Sequence, residues 1–203
     1  MGNNGYSEKE IAIFNGLIEL IRNGANPYSI KVSDIAEASE VGKGTIYDYF
    51  KSKEEAISRA ILYSINKEAE YAYTRIKSTE KFRDKFYEIL HIMAESMENN
   101  KSTFNMLIAT GSVQEFYEYL VDYECDFSEL MEIFNCAIEH LLQTGISEGL
   151  IDNNETPYYQ AMVVRGTVAA FSGYISHMDW YATTCLEEAM DSAYRMLIKA
   201  LGC

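Results

Sequence analysis

Apolar residues recur through this 203-residue chain at intervals of three and four, and very little interrupts them. Ile11, Phe14, Leu17, Ile18 and Ile21 fall on one side of a 3.6-residue helix. The same spacing returns in Ala56, Ile57, Ala60, Ile61 and Ile65, and again in Phe82, Phe86, Ile89, Leu90, Met93 and Met97. Only two prolines occur, Pro27 and Pro157, and turn dipeptides are scarce. A sandwich or barrel of strands needs far more punctuation, so the pattern predicts an all-α chain. With 48% apolar residues it can bury a substantial core.

The punctuation that does occur falls where helices should begin and end. Ser7-Glu8-Lys9-Glu10 and Ser52-Lys53-Glu54-Glu55 have the form of capping boxes, and Gly24 is a natural stop. Thr156-Pro157 sets an N-cap ahead of a proline at the first helical position. These signals predict about nine helices, over roughly 8–23, 31–38, 43–50, 53–77, 79–98, 102–110, 113–145, 157–177 and 186–201. The first three would form an N-terminal helix-turn-helix domain over residues 1–53, and residues 54–203 a larger helical domain.

The first residues have neither a basic nor an apolar segment of the secretory kind. The most apolar later stretch, Met162 to Ile175, is broken by Arg165 and is too short and polar to span a membrane. Cys125, Cys136, Cys185 and Cys203 are widely spaced, as expected of reduced thiols in a cytoplasmic protein. Net charge is −14, which taken alone argues against nucleic acid. The acidity is uneven: residues 1–53 carry −1 and residues 54–203 carry −13. A near-neutral end can therefore face DNA while the body is acidic.

That end holds the chain's most specific pattern. Two short helices, about Lys31 to Ala38 and Lys43 to Phe50, stand a few residues apart, the geometry that lays a helix in the major groove. On a helix, Ile46 and Phe50 point together toward the core, Gly44, Thr45, Tyr47 and Asp48 point away, and Lys43 and Tyr49 flank them. The hydroxyls of Thr45, Tyr47 and Tyr49 suit phosphate oxygens, and Lys43, Lys51 and Lys53 add positive charge. Gly44 weakens a helix and so suggests close approach of another backbone.

The runs Asp34-Ile35-Ala36-Glu37-Ala38, Val41-Gly42-Lys43-Gly44-Thr45-Ile46-Tyr47 and Tyr49-Phe50-Lys51-Ser52-Lys53-Glu54 resemble the N-terminal motif of the TetR family. The resemblance is dense over about forty-five residues and loose beyond them. It implies a ligand-released repressor that binds a palindromic double-stranded DNA operator as a homodimer, with Lys43, Gly44, Thr45, Tyr47 and Tyr49 facing DNA and Lys53 on a phosphate. It implies no enzymatic activity, metal or cofactor. Three positions depart from the family pattern. Glu40 stands in the turn where glycine is usual, at a cost of about 1 kcal/mol if its φ is positive. Gly42 replaces the common serine N-cap. Asp48 faces an anionic duplex; solvation or neutralisation by Lys51 is the reading expected of it, and accepting a hydrogen bond from a cytosine N4 amine is the other open to it.

In the larger domain, Val164, Val168, Phe171 and Ile175, with Met190 and Leu197 of the last helix, form seams suited to a four-helix bundle made by two chains, or else to the chain's own core. Gly166, Ala169, Ala170 and Gly173 thin the neighbouring surface. By the resemblance the middle region holds an inducer, and Met97, Met106, Tyr117, Tyr123, Phe127 and Phe134 are its candidate lining, suited to a lipophilic or cationic small molecule. Glu132, Cys136 and His140 share a helix face, but three such residues without a fourth make a buried thiol and a structural histidine the expected reading. The competing function is a helical small-molecule-binding or catalytic protein without DNA binding, which Glu40, Asp48 and the net charge favour.

Overall fold

A computed structural model of the chain describes residues 5–98, 127–181 and 183–202. Every regular element among them is helical: α1 (Glu8–Arg22), α2 (Val32–Ala38), α3 (Lys43–Tyr49), α4 (Lys53–Ser78), α5 (Phe82–Glu98), α6 (Ser128–Ser147), α7 (Pro157–Ser176) and α8 (Leu186–Leu201), with 3-10 turns at Pro27–Ser29 and Met178–Tyr181. The sequence reading of an all-α chain holds. The expected helix over 102–110 lies outside the described residues, as does the first part of the one over 113–145. Two compact units result. Of the described residues, 5–68 and 127–129 form the first, and 69–98 with 130–202 the second. The long helix α4 contributes its first part to one and its last turns to the other.

The first unit is built from its caps inward. Ser7 Oγ accepts from the Glu10 amide at 3.3 Å, and the Glu10 carboxylate accepts from the Ser7 amide at 2.8 Å, closing the box that starts α1. Asp34 Oδ2 accepts from the Lys31 amide at 3.0 Å and anchors the start of α2. At the start of α4, Ser52 Oγ accepts from the Glu55 amide, and the Glu55 carboxylate reaches back to the Lys51 amide at 2.7 Å. Phe14, Leu17, Ile35, Ile46 and Phe50 are fully buried between these helices, with the Phe14 and Phe50 rings 5.7 Å apart. Gly16 makes the crossing of α1 over the end of α2 possible. A Cβ there would stand 2.8 Å from the Ala38 carbonyl carbon and the Ser39 amide nitrogen.

The second unit buries Phe82, Phe86, Leu90, Leu141, Phe171 and Leu197 in one continuous core. Gly145 of α6 is squeezed there, since a Cβ would lie 2.5 Å from Ile151 Cγ1 and 2.7 Å from Phe82 Cδ2. Arg75 near the end of α4 donates to Glu88 at 2.5 Å and Glu95 at 2.6 Å, both on α5. Lys85 of α5 is buried, and its ammonium donates to the carbonyls of Ile76 (3.1 Å) and Thr79. Its third partner is His140 Nε2, 3.0 Å away on α6. A lysine ammonium has three donors, and all are used. Lys85 falls on the inward stripe with Phe82, Phe86 and Ile89, a signal in the sequence that a charge is buried at this level. Among the described residues no helix is long and apolar enough to cross a membrane.

Candidate nucleic-acid interface

The turn between α2 and α3 fixes how α3 is presented. The Val41 amide donates to the Ala36 carbonyl at 3.0 Å and the Glu40 amide to the Glu37 carbonyl at 3.3 Å, the paired bonds of a Schellman C-cap. Such a cap needs a left-handed residue between them, and Glu40 takes it with φ 54°. The strain expected of a non-glycine residue at this point is therefore present, at about 1 kcal/mol. Gly42 then opens α3 from an extended conformation (φ −70°, ψ 148°), with the Thr45 amide bonded to its carbonyl at 3.0 Å and no side-chain cap. Phe50 ends α3 by returning to extended backbone (φ −130°, ψ 136°) while its ring plugs the core.

The result is a short helix with one buried residue, Ile46, and the candidate DNA contacts spread over the rest. Lys43, Gly44, Tyr47 and Asp48 are exposed, Tyr47 to 57%; Thr45 and Tyr49 are half-buried. A Cβ on Gly44 would meet no described atom within 4 Å, so no described neighbour demands a glycine there. Lys53 stands at the first turn of α4, half-buried, with its ammonium 3.6 Å from Glu54. The seven residues read from the sequence as the DNA face thus lie along α3 and the start of α4, within the first unit.

Residues 25–60 match the family model described as "Bacterial regulatory proteins, tetR family". That segment is similar to the helix-turn-helix of the TetR family. No curated protein matches it in sequence. Among solved structures it is similar to a TetR transcription regulator from Haloarcula marismortui, with TM-score 0.68 and 15% identity over 97% of this chain and 100% of that one. It is similar also to the transcriptional regulator FadR from Bacillus subtilis in complex with stearoyl-CoA (TM-score 0.60, 17% identity, 94% and 98% covered). A third is the fatty acid degradation regulator FadR from Bacillus halodurans (0.60, 14%, 96% and 97%). These likenesses extend the TetR fold beyond the matched segment to nearly the whole chain.

The seams read from the sequence as dimer contacts are placed differently. Val164, Phe171, Ile175, Met190 and Leu197 are buried in the core of their own unit, and Val168 is half-buried against it. The buried five pack within their own unit, while Val168 keeps part of its surface. Their spacing records intrachain packing, the other reading open to the sequence. The opposite side of α7 is exposed instead: Met162, Gly166, Ala169, Ala170 and Gly173. A Cβ on Gly166 or Gly173 would meet nothing within 4 Å.

Of the candidate inducer contacts, Met106, Tyr117 and Tyr123 lie outside the described residues, and so does the side chain of Met97 on α5. Phe127 is half-buried in the first unit, and Phe134 of α6 is 47% exposed in the second. Of this set, the side chains described are those of Phe127 and Phe134. An open groove in the second unit, lined by Arg83, Thr184, Asp191, Tyr194 and Arg195, includes none of it. Cys136 and His140 do share a face of α6, but Nε2 of His140 is taken by Lys85.

Proposed function

We propose that the chain is a DNA-binding transcription regulator, a repressor that holds a two-fold-symmetric operator as a homodimer and is released by a small molecule. The observation that carries this reading is the outward face of α3. It combines Lys43, Thr45 and Tyr47 with a glycine that no described residue presses on, in a segment that matches the TetR family model. A positive side chain and two hydroxyls around a bare stretch of backbone suit two walls of phosphate and close approach between them. In this reading residues 1–53 bind DNA and residues 54–203 provide sensing and dimerisation. Lys53 joins a phosphate by exchanging Glu54 for it.

The second copy is assigned to the exposed face of α7, where Gly166, Ala169, Ala170 and Gly173 let a partner helix come near. Two copies then present two α3 helices, and a pseudo-palindromic operator follows from the symmetry. The inducer is assigned to the second domain, and the stearoyl-CoA bound by the Bacillus subtilis relative supports a lipophilic one.

A mobility-shift titration on the chain's own promoter, run at several salt concentrations, tests the reading. Lys43→Ala should weaken binding on every sequence and lower the slope of log affinity against log salt by about 1. Tyr47→Ala should weaken binding roughly tenfold. Unchanged affinity in both variants would remove α3 from the interface and with it the proposed function.

A further inference from the structure

We infer that Asp48 is the residue of α3 that selects a base, and that it selects cytosine. The inference rests on the DNA-binding reading above and adds to it which chemical group in the groove is read. At about 100° per residue, Gly44 and Asp48 each stand about 200° from Ile46, so the pair lies within about 20° of the direction opposite the buried residue. Thr45 and Tyr47 stand about 100° to either side of Ile46. When Ile46 is seated in the core, the centre of the outward face is therefore Gly44 and Asp48, and the hydroxyls are its flanks. A helix laid in a major groove turns its flanks to the phosphate walls and its centre to the base edges. Gly44, open to at least 4 Å on its outer side, lowers that centre toward the floor and brings Asp48 with it.

No described residue holds the carboxylate back. Asp48 is exposed, and none of the hydrogen bonds or ion pairs among the described residues involves it. Neutralisation by Lys51 would require the helix to continue, so that residues three apart share a face. It ends at Tyr49, and the extended backbone of Phe50 carries Lys51 off that face. The Lys51 amide is bound to the Glu55 carboxylate at 2.7 Å, which fixes this departure.

An ionised carboxylate only accepts hydrogen bonds, so over the floor of the groove it is satisfied by an amine alone. Guanine offers N7 and O6 and thymine O4, all acceptors, and these repel it. Adenine N6 and cytosine N4 are the two donors. The adenine amine lies between its own N7 and the O4 of the paired thymine, both acceptors. The cytosine amine has an acceptor on one side only, the O6 of the paired guanine. The carboxylate therefore meets least opposition at cytosine, and on other bases it is desolvated without a partner.

Selection of duplexes from a random-sequence pool by the full-length protein, followed by titration of single-base variants, tests this. The wild type should require cytosine at one position in each half-site, and replacing that C·G pair with T·A should weaken binding roughly tenfold. In Asp48→Ala, whose side chain supports nothing in the fold, that loss should shrink to within about twofold while the other positions keep their preference. A uniform rise in affinity with no change at any single position would show a carboxylate that merely repels DNA, and would overturn the inference while leaving the DNA-binding reading intact. Selection of adenine at the position would overturn the cytosine assignment. Failure of wild type and variant alike to enrich any sequence would bring down the DNA-binding reading itself.

Discussion

The helix-turn-helix unit and the second unit each use glycine in opposite senses from one position to the next, and the contrast separates packing from docking. Gly16 and Gly145 are each pressed by a neighbour in the same unit, where a Cβ would come within 2.8 Å. Gly44 in α3, and Gly166 and Gly173 in α7, have nothing within 4 Å of the missing Cβ. A helical glycine costs up to about 1 kcal/mol relative to alanine, and for these three the contacts among the described residues give nothing back. The two faces that carry them, the outer side of α3 and the outer side of α7, are the two assigned to DNA and to a second copy. Large apolar side chains behave in the reverse way. Ile46 and Phe171 are spaced as contact residues are, and both face inward.

The largest effect should come from breaking that distinction on α7. Phe171→Ala removes a buried ring from the second unit's core and should cost about 3–5 kcal/mol, read as an earlier midpoint in urea denaturation. Ala169→Glu, on the exposed side, should leave helix content by circular dichroism unchanged and shift the sedimenting species from dimer to monomer. A dimer that survives Ala169→Glu but separates in Phe171→Ala without loss of stability would invert the assignment of the two faces.

Legibility followed the same line. The caps at Ser7, Ser52 and Thr156 were readable because a capping residue acts on its own chain within three residues, and all three hydroxyls accept the expected amide. The outward set on α3 was readable because its polar residues left Ile46 and Phe50 as the only inward choice. On α7 the buried side is large and apolar, while the exposed side mixes small residues with Met162 and Arg165, and periodicity alone cannot tell which meets its own chain. Burial decides it: Val164, Phe171 and Ile175 fill the core of their unit, while a Cβ on Gly166 or Gly173 would meet no described atom within 4 Å. The ion cluster at Lys85 was half legible. Its place on the inward stripe of α5 was visible, but the partners come from α6 and from the carbonyls ending α4, which no local pattern brings together.

Two glycine-to-alanine changes sharpen the contrast at smaller magnitude. Gly16→Ala forces α1 away from the Ala38–Ser39 backbone and should cost about 1–3 kcal/mol of stability. Gly44→Ala meets open space and should raise the stability of the first unit by a few tenths up to about 1 kcal/mol. The same change should weaken operator binding in a mobility-shift titration, because its methyl group stands between α3 and the groove. Stabilisation together with weaker DNA binding is the signature of a residue kept for an external partner. Gly44→Ala that leaves DNA affinity unaltered would make the open glycine uninformative on α3, and would weaken the same argument for Gly166 and Gly173.

Acid should tell the two units apart, because the second holds a titratable pair in its interior. Burial pulls the His140 imidazole below its ordinary value, and the positive charges of Lys85 and Lys77 pull in the same direction. Burial likewise lowers the Lys85 ammonium, which Glu148 and Glu80 partly oppose. His140 accepts from Lys85 only when Nε2 is unprotonated; once protonated it sets two cations 3.0 Å apart beside the last carbonyls of α4. With the folded value depressed, the unfolded chain takes up the proton first. The contribution of neutral His140 is therefore complete above about pH 6.5 and is lost as pH falls below that toward the folded value. His140→Gln keeps an acceptor for Lys85 and removes the titration. Urea denaturation of the second unit, followed at pH 7.5 and 5.5, should show a smaller acid loss in the variant than in the wild type, whereas equal losses in the two would place the acid sensitivity on other groups.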